Sequence, residues 1–570
     1  MKNILSKYKV IFLATITCLT HSSCSDMLDT KPQGQFTTEQ MDETAITGLI
    51  ASAYAGLEAH YFGNNEAFAG PSTNWIFDVR SDDAYKGGGG TSMEENINLL
   101  EKSVINADNA SCLNKWQNNY YAISRCNNAI NACINALGAD SQEVYELKCL
   151  RAWYYFDLIR IFKRIPYITE RDEASEQSNM RYTRDEIFSF ILTDMTNAAE
   201  FLAPEVNGGR ITKHVAEAMA AKVAAQMSDW PTVLTYTMRV IDSRQYDLFD
   251  NFGDMSQIRH NNGKESIFAL QCSTANDNMH INWSNLLNCT YSEGNLYGIG
   301  DDFFYGSQNL VNAYRTDAKG LPYLDGTFND VDVNDSYTGS IDPRLDFTVG
   351  RIGMPWRGHT YTATWCRAYD TYGEYSNKKA WPAPEEALSS WPWGCSPLNF
   401  IFIRYADILL LRAEALIETS QKSNANVEIQ EGGAAPLCEA RTLINQIRER
   451  AARSVDGSYT PIDLDPSKAD YFVGQYGTTW DDNLQWTKDY ARRALRMERR
   501  LELAMEGHRW FDLVRWGEDY LMQTMNTYMS TEASIHSRTY YQGCSVSADE
   551  IYLPVPQNEL DNSNGLYEQY

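Results

Sequence analysis

The sequence predicts a mainly α-helical fold in which helical hairpins stack side by side and one large, loop-rich segment interrupts the stack. Residues 114–137 and 143–162 carry apolar side chains at helical spacing, and Gly138 and Asp140 separate them. Residues 258–399 lose that spacing and are punctuated by Gly, Pro, Asp and Asn. We therefore expect two helical parts around an irregular middle.

Helical signals return on both sides of this middle segment. Residues 212–246 are rich in Ala, and small side chains recur every four residues from Ala216 to Ala224, which allows a partner helix to approach closely. Pro231 marks the break to the second helix of this pair. The pair resembles a tetratricopeptide unit, although the full repeat consensus is absent. A third hairpin is predicted from 403 to 450, around a polar insertion at 420–436.

The segment Leu495–Gly517 packs charged and aromatic residues more densely than a solvated helix needs. Apolar residues nearly encircle it, which predicts a buried, ion-paired helix. Glu506 and His508 are also a candidate acid–base pair, but no nucleophile or metal motif accompanies them, which favours a structural role. The expected pairs at helical spacing are Arg499 with Glu502, Glu506 with Arg509, and Arg509 with Asp512.

Part of this segment, MERRLELAMEGHRWFDLVRWG, resembles the closing signature of the SusD/RagB family of surface lipoproteins, which bind glycans beside an outer-membrane transporter. Four other segments resemble the family in the right order: Leu147–Pro166, Phe402–Glu418, Ala440–Ala451 and Ile551–Asp561. The resemblance implies a SusD-like fold in which residues 24–570 form one unit. Its parts are an N-terminal helical part (24–257), a loop-rich aromatic binding region (258–399) and a C-terminal helical part (400–570).

Residues 1–23 read as a signal peptide, with early lysines and a short apolar run from Val10 to Leu19 that is too brief to span a bilayer. The small residues before Cys24 resemble a bacterial lipoprotein processing site, so Cys24 is the expected lipidation site. The implied location is the outer membrane, facing outward. His21 departs from the usual pattern, and a soluble secreted protein cut nearby is the alternative.

The composition of the chain limits the classes of partner that it can bind. The chain carries 49 basic and 75 acidic residues, and its formal net charge of -26 argues against nucleic acid or an anionic surface as the main partner. Neutral ligands stay open. No pair of cysteines has CxxC spacing, which disfavours structural zinc. The ten cysteines after Cys24 are expected to be mostly buried thiols, with a disulfide or two.

Aromatic residues crowd the irregular middle segment. From Trp283 to Trp393, 20 of 111 residues are aromatic, compared with 12% of the whole chain. Aromatic rings offer flat apolar faces to sugar rings, and polar neighbours bond the hydroxyls. Each ring taken singly is more often packing than platform, so the cluster is the better observation. The predicted glycan-binding residues here are Trp283, Tyr297, Trp356, Arg357, Trp365, Arg367, Tyr369, Trp391 and Trp393.

Two further loops are candidate sites. Asp78–Thr91 contains four successive glycines and carries Asp82 and Tyr85, and the family resemblance implies that this loop lies near the glycan site. A flexible surface turn is the alternative. Residues 330–335 begin like a calcium loop, but the Gly and the bidentate Glu of that motif are missing. A solvated acidic loop, and no required metal, is expected.

The combined prediction is a lipid-anchored protein without enzymatic activity that captures oligosaccharides or polysaccharides. The resemblance implies that it passes them to a SusC-like TonB-dependent transporter. No cofactor and no nucleic acid are expected, and membrane contact is expected through the lipid only. One alternative is a peptide-capturing family member, which the aromatic cluster disfavours. The other is a glycoside hydrolase, although paired carboxylates carry little information in so acidic a chain.

Overall fold

The computed structural model describes residues 43–58, 77–204, 208–274, 281, 287–291, 297–298, 300–379, 381–388, 395–455, 457 and 459–570. The chain divides into two compact units, Met1–Leu49 and Ile50–Tyr570. Of the first unit only residues 43–49 are described, and they form the beginning of helix α1 (Glu43–Tyr54). All other elements belong to the second unit.

Before residue 258 the helices predicted at 114–137, 143–162 and 212–246 are present, whereas those at 95–101 and 184–201 were not predicted. The helices of this part are α2 (Glu95–Glu101), α3 (Ala110–Leu137), α4 (Gln142–Ile161), α5 (Arg184–Phe201), α6 (Lys213–Gln226) and α7 (Trp230–Asp242). Helix α3 begins at Ala110 because the side chain of Asn109 accepts hydrogen bonds from the first backbone amides. Asp229 caps α7 in the same way, and Pro231 lies in its first turn. The predicted break between α6 and α7 is confirmed.

The middle segment contains only short elements among its described residues. Its helices are α8 (Gln308–Ala313), α9 (Arg344–Thr348) and α10 (Tyr369–Tyr372). Three two-stranded sheets are antiparallel: β1 (Ala84–Gly87) with β3 (Phe303–Gly306), β2 (Ser266–Leu270) with β7 (Phe400–Arg404), and β5 (Pro355–Trp356) with β6 (His359–Thr360). The fourth sheet pairs β4 (Ser340–Ile341) with β8 (Asp470–Tyr471) in parallel.

The C-terminal part is helical again. Its helices are α11 (Tyr405–Thr419), α12 (Ala425–Glu431), α13 (Pro436–Arg453), α14 (Trp480–Gln485), α15 (Lys488–Leu503), α16 (Arg509–Arg515), α17 (Glu518–Ser534) and α18 (Gln557–Asn562). The polar insertion predicted at 420–436 contains helix α12, which begins where the side chain of Asn424 caps it. The glycines that follow the helix favoured a loop prediction for this segment.

The long helices form one continuous stack. Helices α3, α4, α5, α6, α7, α11 and α13 each pack against the next, and α15 packs against α11. Small side chains permit this close packing in α6, where every residue from Val215 to Ala225 is buried. The predicted mainly α fold of stacked hairpins is confirmed.

The segment Leu495–Gly517 is not one helix. Helix α15 ends at Leu503 and α16 begins at Arg509, and the turn between them places Met505 and Gly507 at positive φ. Both carboxylate oxygens of Asp78 accept a hydrogen bond from the Gly507 backbone amide, at 3.0 and 3.1 Å. The break removes the helical spacing between Glu506 and Arg509, whereas the other two expected pairs each lie within one helix.

All three expected pairs are wrong, although the segment is buried and ion-paired, because the arginines and Glu506 pair with residues of other elements. Arg499 bonds Asp407 at 2.8 Å and Asp512 at 2.9 Å instead of Glu502. Glu506 pairs with Arg404 and Lys379, and Arg509 pairs with Asp82 at 2.7 Å. Each of these bonds joins residues from different elements, so the charges tie the C-terminal helices to the rest of the unit.

A buried ion network centres on α15. Arg344 reaches Glu498 at 2.7 Å and Glu502 at 2.9 Å, and Arg404 reaches Glu502 at 2.5 Å. Arg450 also bonds Glu502, and all of these side chains are at most 2% exposed. Such charges are stable in the interior only when each has partners, and here every carboxylate has at least two.

The ten cysteines after Cys24 are free thiols, seven of them buried. The expectation of mostly buried thiols is confirmed, and the disulfide or two expected beside them is wrong, because no two of these cysteines are bonded. Over the residues that the structure describes, no helix is both long and apolar enough to cross a membrane.

Candidate functional site

The β1–β3 ladder joins the two regions that the sequence marks as candidate sites. It pairs Ala84 with Gly306 and Gly87 with Phe303, so the early glycine loop lies against the start of the aromatic segment. The Gly88 amide donates to the Asp302 carbonyl at 2.9 Å. A side chain at Gly87, which has φ +76°, would meet that same carbonyl oxygen at 2.7 Å. Only glycine permits this close approach.

An exposed rim forms where this loop meets Arg367. A Cβ at Gly89 would lie 3.1 Å from the Arg367 Nε, so the loop backbone borders the guanidinium directly. The Arg367 guanidinium lies 5.1 Å from the centroid of the Tyr291 ring and forms an ion pair with Asp301. Tyr291 and Tyr369 are 39% and 47% exposed. We call Gly88–Gly90, Tyr291, Arg367 and Tyr369 the rim.

Backbone hydrogen bonds hold the rim in place. The Arg367 amide donates to Oδ2 of Asp302 at 3.0 Å and to the Tyr305 hydroxyl at 3.0 Å. The Tyr291 amide donates to the Trp365 carbonyl at 3.1 Å. The backbones of Arg367 and Tyr291 are therefore held by the groups beneath them. This order reduces the conformational entropy that the protein would lose on binding a ligand.

Asp302 is the buried carboxyl under the rim. Burial raises its pKa to about 7, although hydrogen bonds from Tyr305, from Ser376 and from the Arg367 amide oppose the shift. Its backbone has φ 54°, which turns the chain between Asp301 and β3. A single side chain thus links the position of Arg367 to that of the sheet below.

Of the four predicted platform rings that the structure describes, three are buried. Trp356 is fully buried, stacks on Tyr361 with ring centroids 5.2 Å apart, and meets Trp365 edge-on at 5.7 Å. Trp365 is 8% exposed. The Trp356 Nε1–H donates to the hydroxyl of buried Tyr297 at 3.1 Å. These rings support the rim by packing, and they offer no open face to a ligand in this conformation.

The polar candidates Arg357, Asp82 and Tyr85 are also buried. Arg357 pairs with Asp463 at 2.6 Å. Burial alone would raise the pKa of Asp82, but Arg500 and Arg509 outweigh it and hold that pKa at about 2. The Tyr85 hydroxyl donates to Glu532 at 2.5 Å. These three side chains anchor the loop region from inside.

Four predicted residues lie outside the described part of the chain: the lipidation candidate Cys24 and the aromatic candidates Trp283, Trp391 and Trp393. The rim residue Tyr291 and Asp301, the ion-pair partner of Arg367, were not singled out from the sequence. Tyr291 carries a signal of its own, since it belongs to the same aromatic run, whereas nothing in the sequence places Asp301 beside Arg367.

The candidate acid–base pair is structural. Burial opposes ionisation of Glu506, but Arg404 and Lys379 lower its pKa to about 2. Burial and the nearby Lys222 lower the pKa of His508 to about 3, and its Nδ1 lies 3.1 Å from the Lys222 Nζ. A carboxylate held in ion pairs and a neutral buried imidazole do not form a proton-transfer pair near neutral pH.

The acidic loop at 330–335 shows no metal arrangement. The Asp332 carboxylate accepts from Asn312 at 2.8 Å and contacts His536 at 3.0 Å. Over the described residues, no group of three or more His, Cys, Asp or Glu side chains is placed to hold a metal ion.

The fold defines the chain as a stacked-hairpin protein with a loop-rich insertion, and comparison with known proteins identifies its family. The model of the SusD family matches residues 264–570, and a second model, described as starch-binding and associating with the outer membrane, matches residues 26–224. The chain therefore belongs to the SusD family.

Curated relatives and solved structures agree with this assignment. A SusD-like protein from Bacteroides ovatus is 24% identical over 518 residues, covering 85% of this chain and 83% of the relative. SusD-like protein P2 from Formosa agariphila is 26% identical, covering 81% and 84%. The solved structure of a SusD superfamily protein from Bacteroides vulgatus aligns with a TM-score of 0.66 at 20% identity, over 93% of this chain and 98% of that one.

A second solved structure is surface glycan-binding protein A from Bacteroides thetaiotaomicron in complex with laminarihexaose. It aligns with a TM-score of 0.64 at 19% identity, over 92% of this chain and 99% of that chain. At this identity the match establishes the shared fold.

Proposed function

We propose that this protein is a surface lipoprotein that captures oligosaccharides at the rim and delivers them to a SusC-like TonB-dependent transporter in the outer membrane. Lipid on Cys24 would anchor it there, facing outward, since several acyl chains on one residue give stable attachment. Binding and release are sufficient for this role, and no covalent step is involved.

The observation that carries the proposal is the rim itself. The Arg367 guanidinium lies 5.1 Å from the ring centroid of partly exposed Tyr291 and borders the Gly89 backbone, and partly exposed Tyr369 follows Arg367 closely in the chain. Rings can stack on the apolar faces of sugars, and Arg367 can donate to hydroxyls. We propose that Trp283, Trp391 and Trp393 also bind the glycan, whereas the buried Trp356, Trp365 and Tyr297 support the rim by packing.

The comparisons support a glycan as the cargo. One matching family model is described as starch-binding, and one solved neighbour is described in complex with laminarihexaose. Another is described as a laminarin-binding SusD-like protein. The net charge of -26 favours a neutral glycan over an anionic one. Laminarihexaose is therefore the first ligand to test, beside starch, fructan, xylan, mannan and mucin glycans.

The test is the affinity of the purified protein for that panel, measured by affinity electrophoresis and then by calorimetry. For the glycan that binds, replacing Arg367 and Tyr369 together by Ala should weaken binding at least tenfold, or about 1.4 kcal/mol. Trp480→Ala is the matched control, because Trp480 is an exposed aromatic residue (60%) on α14, away from the rim. An unchanged affinity in the double variant would remove the rim from the site. Binding of peptides alone would reject glycan capture.

A further inference from the structure

A second cleft lies between the exposed face of α3 and residues 168–174. Its volume is about 470 Å³, within the range of small-molecule sites. It shares no residue with the rim, and one of its walls is helix α3 of the helical stack. We call it the α3 cleft.

The wall contributed by α3 is unusual because it carries no charge. Charged residues make up 22% of the chain, yet the 28 residues of α3 include only Lys115, which is buried, and Arg125, which does not line the cleft. Exposed helix faces are ordinarily charged. The residues that line the cleft along this face, over about 21 Å of helix, are Gln117, Tyr121, Ser124, Asn128 and Asn131.

These side chains offer both donors and acceptors. The Gln117 amide donates to Glu559 at 2.8 Å and the Asn131 amide donates to the Glu170 carbonyl at 3.0 Å. These bonds orient the two amides, and over the described residues their oxygens accept no hydrogen bond from the protein. Asn128 is exposed, and its side chain has no intramolecular partner among the same residues. Tyr121 adds a ring that is 57% exposed.

The carboxylates of the opposite wall are largely committed to the protein. Glu170 pairs with Arg151 at 2.5 Å, and Asp172 accepts from the Thr169 amide at 2.9 Å. Among the residues that the structure describes, no Lys or Arg side chain lines the cleft, so an anionic group would find no cation from them. Amide groups that donate and accept, beside a flat ring, match a ligand with many neutral hydroxyls.

We propose that the α3 cleft is a second binding site for a neutral oligosaccharide. The inference rests on the proposed function, since it assigns the same class of ligand to a separate surface of the same chain. Two sites on one chain would hold a long glycan by two attachments, which raises its retention without tighter contacts at either site.

The experiment measures binding of the panel glycan to the full-length protein in detergent, with Asn128→Asp as the variant. This change keeps the side-chain size, adds a negative charge and removes a donor. Asn197→Asp is the matched control, because Asn197 is likewise exposed on a helix, α5, outside both sites. Calorimetry of a short oligosaccharide should give two sites per wild-type chain. It should give one in Asn128→Asp and two in Asn197→Asp.

A third variant separates the two sites. Arg367→Ala with Tyr369→Ala should leave residual binding, which Asn128→Asp should then weaken at least fivefold. One site per wild-type chain with no effect of Asn128→Asp would overturn the second site and leave the proposed function intact. No glycan binding by the wild type would overturn both. Protection of α3 from hydrogen exchange by a protein partner but by no glycan would also overturn the second site.

Discussion

Replacement of Glu502 by Gln is the sharpest test of the buried ion network. The Glu502 carboxylate accepts from Arg344, Arg404 and Arg450 and has no exposed surface. Burial opposes its ionisation, yet the three guanidinium groups, with Arg450 first, hold its pKa far below the ordinary value. Gln keeps the volume of the side chain, so the substitution removes the charge without creating a cavity.

The expected loss is about 3–5 kcal/mol, because removing one member of a buried ion network leaves the others uncompensated. That is a large fraction of the roughly 5–15 kcal/mol by which a folded protein is stable. The control is Glu449→Gln, since Glu449 and Arg453 form an exposed pair at 3.3 Å in which each side chain is 53% exposed. Exposed pairs contribute about 0–1 kcal/mol.

Urea denaturation measures the difference in the free energy of unfolding between each variant and the wild type from the transition midpoints. Unfolding and refolding curves should coincide. Folding lowers the pKa of Glu502, so its stabilisation is present above the unfolded-state value near 4 and is lost as the pH falls. The gap between Glu502→Gln and the wild type should therefore narrow in acid. If Glu502→Gln lowers the free energy of unfolding by less than about 1 kcal/mol near neutral pH, as Glu449→Gln is expected to do, the buried network does not stabilise the fold in this way.

Three other predictions concern the rim, the anchor and the absence of catalysis. Asp302 keeps its proton in the folded chain to about pH 7 but releases it near 4 when unfolded, so its contribution makes stability fall as the pH rises between those values. The free energy of unfolding of Asp302→Asn, relative to that of the wild type, should therefore rise by about 2 kcal/mol between pH 5 and 8. Urea denaturation measures it, and the same pH dependence in both proteins would contradict a protonated, buried carboxyl. Cys24→Ala should abolish incorporation of labelled palmitate and release the protein from the membrane; continued labelling would reject that anchor. Prolonged incubation with the bound oligosaccharide should leave its chain length unchanged by chromatography, and shortened products would favour a hydrolase.

The long helices could be predicted from the sequence because their apolar spacing repeats over several turns. Helix α5 was missed although Thr183 and Glu186 form a capping box at its start, a signal that lies in the sequence itself. The break between α15 and α16 could not be predicted from periodicity, because the bond from Gly507 to Asp78 that accompanies it joins residues 429 positions apart.

The family resemblance predicted that the early glycine loop lies near the glycan site, but it did not give the contact that joins the two regions. The β1–β3 ladder that unites them pairs segments more than 200 residues apart, which no local pattern encodes. Composition points to the aromatic run, yet it does not distinguish a buried ring such as Trp356 from an exposed one such as Tyr369. Burial depends on tertiary packing, so the choice of platform residues required the structure.

A crystal structure of the protein soaked with the glycan selected from the panel would show directly whether the sugar binds at the rim. We expect sugar rings in van der Waals contact with Tyr369 or Tyr291, and a sugar hydroxyl within hydrogen-bond distance of the Arg367 guanidinium. Ordered sugar found only on surfaces that share no residue with the rim would contradict it.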